Sequence, residues 1–259
     1  MAERITVHGL CVRETEIGEA DKIITLVTME YGRLSVSGKG VKSLKSRHMA
    51  ATQPFAYSLF TLRKSKKYYY IEESELIECF WEIRGDIEKL SLAAYICDVC
   101  ADVSVEGEAD PELLRLTLNS LFAVNKGVQT EKVKAAFELR CAEVIGFCPD
   151  LTVCGACGCE LSGDSYIDIM NGRLLCRDCK PRAEREEELE GSTSRLYMLL
   201  SPGTVAAMRY IVQSAPERFL SFNLAEDDMH LLSQVCEAYL TNHLEHGFGT
   251  LNFYKSILL

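Results

Sequence analysis

Four cysteines stand in two pairs, Cys154-Gly-Ala-Cys157 and Cys176-Arg-Asp-Cys179, with eighteen residues between the pairs. Each C-x₂-C turn brings two thiolates onto one side of the backbone. Two such turns at this separation suit a tetrahedral Zn²⁺ site with Zn–S distances of about 2.3 Å. Four thiolates close the coordination shell, so the expected ion is a single structural Zn²⁺ with no open position for catalysis. Gly155 and Gly158 give backbone amides room to turn toward sulfur, and Met170-Asn171-Gly172-Arg173 reads as a tight turn between the two arms. Cys159 is a fifth thiol that can compete as a ligand, although C-x-C spacing fits a knuckle less well. Unrelated turns or redox dithiols are the alternative reading of the pairs.

A second chemistry-bearing feature lies some 110 residues earlier. Between Tyr31 and Ile71 there are nine cations (Arg33, Lys39, Lys42, Lys45, Arg47, Arg63, Lys64, Lys66 and Lys67) and no Asp or Glu, which leaves nineteen cations against thirty-eight acids elsewhere. A net charge of −10 therefore hides a basic surface on an acidic body. Lys64, Lys66 and Lys67 abut Tyr68, Tyr69 and Tyr70, and cations beside aromatic faces are what sequence-tolerant single-strand binding uses. The plainer alternative is a solvated loop beside ordinary strand tyrosines. The cysteine module, residues 150–182, carries four cations against five acids and is expected to act as a staple, not as a phosphate surface.

Catalytic signatures are missing. Gly32 to Gly40 resembles a phosphate loop, but five residues precede its Gly-Lys and Gly40 replaces the hydroxyl that holds Mg²⁺. There is no HExxH and no GxSxG, and the expectation is a protein that is not an enzyme. Cys97-Asp-Val-Cys100 lies inside an apolar helical pattern, where core packing is the simpler role. His243 and His246 are expected to serve a helix end. Twelve cysteines in a long chain whose start carries Glu3 and Arg4 suggest reduced thiols and a cytoplasmic, intracellular protein, with no apolar run long enough for a membrane span.

These side chains need a scaffold. Residues 1–80 have β texture, five short β-branched and aromatic stretches punctuated by turns at Ile17-Gly18-Glu19 and Glu30-Tyr31-Gly32. Such a pattern predicts a small five-stranded β-barrel, with the OB-fold as the best-known example, and residues 41–54 as the long basic connection before the fourth strand. After Trp81 the apolar period becomes helical, with Asp86 and Asp110-Pro111 as helix starts, a third helix from Thr130 ending near Gly146, and later helices opening at Ser201-Pro202 and spanning about 226–245. Glu184–Glu190 reads as a solvated linker or helix end. The expected organisation is β plus α multidomain: 1–80 the barrel, 81–149 the first part of an all-α domain, 150–182 an inserted zinc finger, and 183–259 the second helical part.

The succession Gly18-Glu-Ala-Asp-Lys-Ile-Ile-Thr-Leu-Val-Thr28, Tyr31-Gly-Arg33, Ser37-Gly-Lys-Gly40, Lys45-Ser-Arg47 and Gln53-Pro-Phe55 resembles the bacterial recombination mediator family RecO. The likeness continues through Gly146-Phe-Cys-Pro149, both cysteine pairs, His243-Leu244 and Leu251-Asn-Phe253. It implies an N-terminal OB-fold and a helical domain with an inserted zinc module. It further implies a non-enzymatic, nucleoid-associated DNA repair and recombination mediator that binds single- and double-stranded DNA, anneals complementary strands and, with RecR, loads RecA on strands coated by single-strand-binding protein, with RecF an indirect partner. The family's basic surface maps onto Arg33, Lys39, Lys42, Lys45 and Arg47, while Lys64, Lys66 and Lys67 extend it on charge alone. The rival readings are a zinc-ribbon regulator that binds a protein partner, and a dithiol enzyme using Cys97 and Cys100.

Overall fold

Alternating burial builds the first five strands. In β3 (Gly32–Gly38), Leu34 and Val36 face inward between exposed or half-buried neighbours, and β4 (Tyr57–Lys64) buries Phe60 and Leu62 in the same period of two. With β1 (Arg4–Ile17), β2 (Asp21–Thr28) and β5 (Tyr69–Glu78) they close a barrel in the order β1-β2-β3-β5-β4. All neighbouring pairs are antiparallel except β3 and β5, which run parallel at Val36↔Tyr69 and Ser37↔Tyr70. This is the OB-fold topology. A bulge in β1 between Cys11 and Arg13 bends the long strand around a core that includes Val7, Ile24, Leu26 and Phe60. The computed structural model describes residues 3–65, 69–190 and 196–258, with the side chains of 186–190 excluded.

The chain divides into two compact units, one comprising residues up to Thr130 together with those from Phe248 onward, and one spanning Glu131–Gly247. In the first, α1 (Ile87–Val103) starts where the Asp86 carboxylate accepts the amides of Glu88 and Lys89, and α2 (Pro111–Asn125) where Asp110 accepts that of Leu113. The last helix, α7 (Gly249–Ile257), returns to this unit and packs on α1. Asp98 on α1 joins both neighbours, accepting from Arg13 of β1 and from Thr250 of α7.

The segment 105–108 lies hard against the β2–β3 turn. The Arg33 amide donates to the Val105 carbonyl at 3.1 Å, and that of Gly107 to the Tyr31 carbonyl at 3.1 Å. Gly32 has φ +60°, and an added Cβ would lie 2.0 Å from the Glu108 carbonyl oxygen and 2.4 Å from that of Val105. Gly32→Ala therefore combines left-handed strain with a backbone clash. It is expected to cost about 3 kcal/mol or more in chemical denaturation. A loss below about 1 kcal/mol would show that this approach is loose.

The second unit holds α3 (Thr130–Val144, from its second residue), α4 (Lys180–Glu190), α5 (Pro202–Gln213) and α6 (Glu226–His243). Between them runs a sheet of β6 (Asp150–Cys154), β7 (Ser165–Asp168), β8 (Arg173–Cys176) and β9 (Tyr197–Leu200), in the order β6-β8-β7-β9. Ser201 caps α5 through the Thr204 amide, and α6 buries Leu232, Val235, Cys236, Tyr239 and Leu240 along one stripe. Buried Lys134 is satisfied by Glu138 at 3.1 Å and Glu237 at 2.8 Å. No helix among the described residues is long and apolar enough to cross a membrane.

Candidate nucleic-acid interface and metal centre

The β7–β8 hairpin and the β6 arm bring the four cysteines together. The Sγ atoms of Cys154, Cys157, Cys176 and Cys179 all lie within 4.8 Å of one another, and those of Cys157 and Cys176 are 4.0 Å apart. A tetrahedral ion with bonds of about 2.3 Å requires sulfur–sulfur edges of about 3.8 Å. The set can therefore hold a metal ion as it stands. Gly172, at φ +61°, makes the turn before β8, and Gly158, at φ +72°, closes the first knuckle with its amide on the Cys154 carbonyl at 2.8 Å. The Cys176 amide points at the Cys154 sulfur at 3.3 Å. Burial raises the Cys154 thiol, but the amides of Cys176, Ala156 and Cys157 outweigh it and bring the thiol down to about 6. Cys157 is lowered as well, chiefly by the Cys159 amide, whereas Cys179 is pushed up by its contacts with Cys157 and Cys176.

Cys159 stands outside this set. Its carbonyl accepts the Cys154 amide at 2.9 Å, while its thiol is exposed and is pushed up chiefly by its contact with Cys157. Cys159→Ser is accordingly expected to retain one ion per chain and Cys176→Ser to lose it, as read by metal analysis of the purified variants. Loss from Cys159→Ser would make Cys159 a ligand.

The module's cations are largely spoken for: Arg173 pairs with Asp168 at 3.4 Å, Arg177 with Asp164, and Lys180 with Glu184. The other thiol pair is plain core. Cys97 and Cys100 are fully buried, and burial pushes Cys100 up to about 11 and Cys97 well above its ordinary value. His243 and His246 turn their Nδ1 atoms to the carbonyls of Tyr239 and Gly247.

The barrel sorts the basic residues into three groups. Arg33 is drawn inward, its guanidinium donating to the Ala101 carbonyl at the end of α1 at 2.7 Å. Lys42 and Lys64 are held by acids from distant sequence, Glu16 at 2.8 Å and Glu3 at 3.1 Å. Among the described residues, Lys39, Lys45 and Arg47 have no carboxylate partner, and all three are exposed. Arg47 is aimed by hydrogen bonds from its guanidinium to the Glu72 carbonyl at 2.7 Å and to His48 Nε2 at 3.1 Å. His48 is fixed in turn against Ser74 at 2.8 Å, and burial and then Arg47 hold its pKa down. Lys66 and Lys67 lie outside the described residues.

Strand alternation splits the tyrosines. Tyr69 packs against the barrel core, so Tyr70 faces outward between β3 and β4. Lys39 Nζ lies 5.4 Å from the Tyr70 ring centroid and Arg63 Cζ 5.2 Å from it. Arg63, which also meets Glu72 at 3.3 Å, belongs to this cluster and was passed over as a site residue in the sequence. Its strand position opposite Tyr70 is the signal that would have found it. Lys39, Arg47, Arg63 and Tyr70 thus gather around the start of β5.

Barrel, basic rim and thiol cluster together define an OB-fold protein with a helical body that carries four cysteines able to hold a metal ion. Two family models match the chain: Recombination protein O N terminal over residues 1–80, and Recombination protein O C terminal over residues 84–252. The chain belongs to the RecO family. It is similar to the DNA repair protein RecO of Acetivibrio thermocellus, 32% identical over 250 residues that cover 96% of this chain and 95% of that one. It is also similar to the RecO proteins of Caldicellulosiruptor bescii, 30% identical with 98% of each chain covered, and of Alkaliphilus metalliredigens, 28% identical with 98% and 99% covered.

Proposed function

We propose that the chain is a DNA repair and recombination mediator that works by holding strands, with no bond made or broken. The observation that carries this reading is the cluster on the barrel: exposed Lys39, Lys45 and Arg47, without carboxylate partners among the described residues, beside Tyr70 and Arg63. A run of free cations tracks a phosphate backbone, and an outward aromatic flanked by cations gives bases a face to meet. Lys42 and Lys64 are secondary members, since a phosphate must first displace Glu16 or Glu3. Lys66 and Lys67, outside the described residues, are counted with them on charge alone. Arg33 anchors β3 to α1 and is not counted as a contact.

In this reading the protein binds single- and double-stranded DNA in the cytoplasm and anneals complementary strands. With RecR it promotes RecA loading on DNA coated by single-strand-binding protein, as the family membership suggests. The four cysteines hold one Zn²⁺, because four thiolates at tetrahedral spacing match its ligand preference and leave no site for substrate. The ion's place is structural: it ties β6 to the β7–β8 hairpin, where the sulfurs of Cys154 and Cys157 have amide donors turned to them.

The test is annealing of complementary oligonucleotides coated with single-strand-binding protein. Wild type should accelerate it, and the triple charge reversal Lys39→Glu, Lys45→Glu, Arg47→Glu should not. Acceleration that survives the reversal would remove the barrel rim from the function.

A further inference from the structure

We propose that Leu44 is an apolar wedge that enters between bases when a strand lies on the basic rim, so that the loop separates stacked bases while its lysines hold the backbone. This rests on the nucleic-acid reading above and adds a role for a residue outside the charge pattern.

Leu44 is 89% exposed, more than any other large apolar side chain among the described residues; Trp81 follows at 63%. Nothing about the loop makes this an accident of slack chain. Val41 is buried at 2% exposure beneath Gly38, where an added Cβ would meet it at 2.9 Å. The Lys42 amide is tied to the Ala20 carbonyl at 3.2 Å. Successive turns follow, with Ser43 donating to Gly40 at 3.2 Å, Ser46 to Ser43 at 2.9 Å and Met49 to Ser46 at 3.2 Å. Leu44 and Lys45 are therefore the two corner residues of the Ser43–Ser46 turn, held outward from a pinned base. Turn corners are filled most cheaply by Gly, Pro, Asn, Asp or Ser. Leu44 gives up more burial than any other large apolar side chain among the described residues, the next most exposed leucine, Leu258, being 52% exposed, and a contact from outside the chain would recover it.

The surroundings identify the chemistry of that contact. Lys39, Lys42, Lys45 and Arg47 lie within five residues of Leu44 in sequence, and the stretch carries no acid of its own. A polyanion with apolar interior faces fits that combination, and a nucleic acid is one: phosphates meet the cations while base planes meet the leucine. Leu and similar side chains inserted at a base step unstack it, and unstacked bases are presented for pairing with a second strand.

The experiment uses the full-length protein with single strands and duplexes carrying 2-aminopurine, whose fluorescence rises on unstacking. Wild type, Leu44→Ser and Leu44→Met are compared by fluorescence and by salt-dependent binding. Leu44 is exposed, so the variants should fold as wild type does. The expected result is that Leu44→Ser loses most of the fluorescence rise while its affinity and salt slope stay within about threefold of wild type, because the phosphate contacts remain. Leu44→Met, apolar and of similar reach, should keep the rise. A full rise in Leu44→Ser would overturn the wedge and leave the nucleic-acid reading standing, with a protein partner as the leucine's occupant. Wild type that binds neither strand nor duplex would overturn the reading beneath it, and the wedge with it.

Discussion

Lys39→Glu, Lys45→Glu and Arg47→Glu together are expected to weaken single-strand binding by roughly a hundredfold or more at moderate salt and to flatten the salt dependence of log Kd by about 2. Each phosphate contact on a single strand releases about 0.7 of a counterion, so three lost contacts account for the change in slope. These three were chosen by geometry: each is exposed and none has a carboxylate partner among the described residues. Lys42 behaves differently because the Glu16 carboxylate, held low by its hydrogen bond from Lys42, competes for the same ammonium. Glu16→Gln should therefore tighten binding by about two- to fivefold, since it frees a cation and removes a repulsive charge. Fluorescence anisotropy between about 50 and 200 mM salt reads both effects. An unaltered slope in the triple variant would place the phosphate contacts elsewhere on the chain.

Removing the metal is expected to give the largest stability change. The module's separate buried cluster is small, Cys154, Leu175, Cys179 and Ala183, and two of those belong to the four-cysteine set. A core so small does not offset the conformational entropy of ordering the module without a staple. Structural Zn²⁺ contributes about 10–16 kcal/mol to folding in finger peptides near pH 7. Cys176→Ser or a strong chelator should abolish the bound ion and lower the melting temperature of the second unit by about 10 °C or more, while single-strand affinity changes less than about twofold. Acidification should release the ion as well, because the ligands bind as thiolates and protons compete for them. DNA affinity that falls in parallel with the metal content would give the module a direct part in binding. That result would conflict with the pairing of Arg173, Arg177 and Lys180 with acids.

Much of this molecule was legible in its sequence, and for local reasons. Two C-x₂-C turns fix which sulfurs can converge, and they do. The strands of the barrel follow from alternation and glycine turns, and Asp86, Asp110 and Ser201 cap the helices they precede. Strand β9, which completes the metal module's sheet against β7, carried too short a pattern to be read, and neither was α7 foreseen as a partner for α1. Both are pairings between segments far apart in the chain, which no local window contains.

The basic stretch shows the division most sharply. As a sequence it is forty residues without an acid; in the barrel, Glu3 and Glu16 of β1's surroundings and Glu72 of β5 reach Lys64, Lys42 and Arg63. Register also decides that Tyr70 faces out and Tyr69 in, and that Arg63 lies opposite Tyr70. The sequence by itself determined the chemistry available, four thiolates and a run of cations, because residue type and short spacing set that. Only the tertiary structure decided which cations remain free and what stands beside them. Charge neutralisation and stacking act across strands, and the strands that meet are separated by tens of residues along the chain.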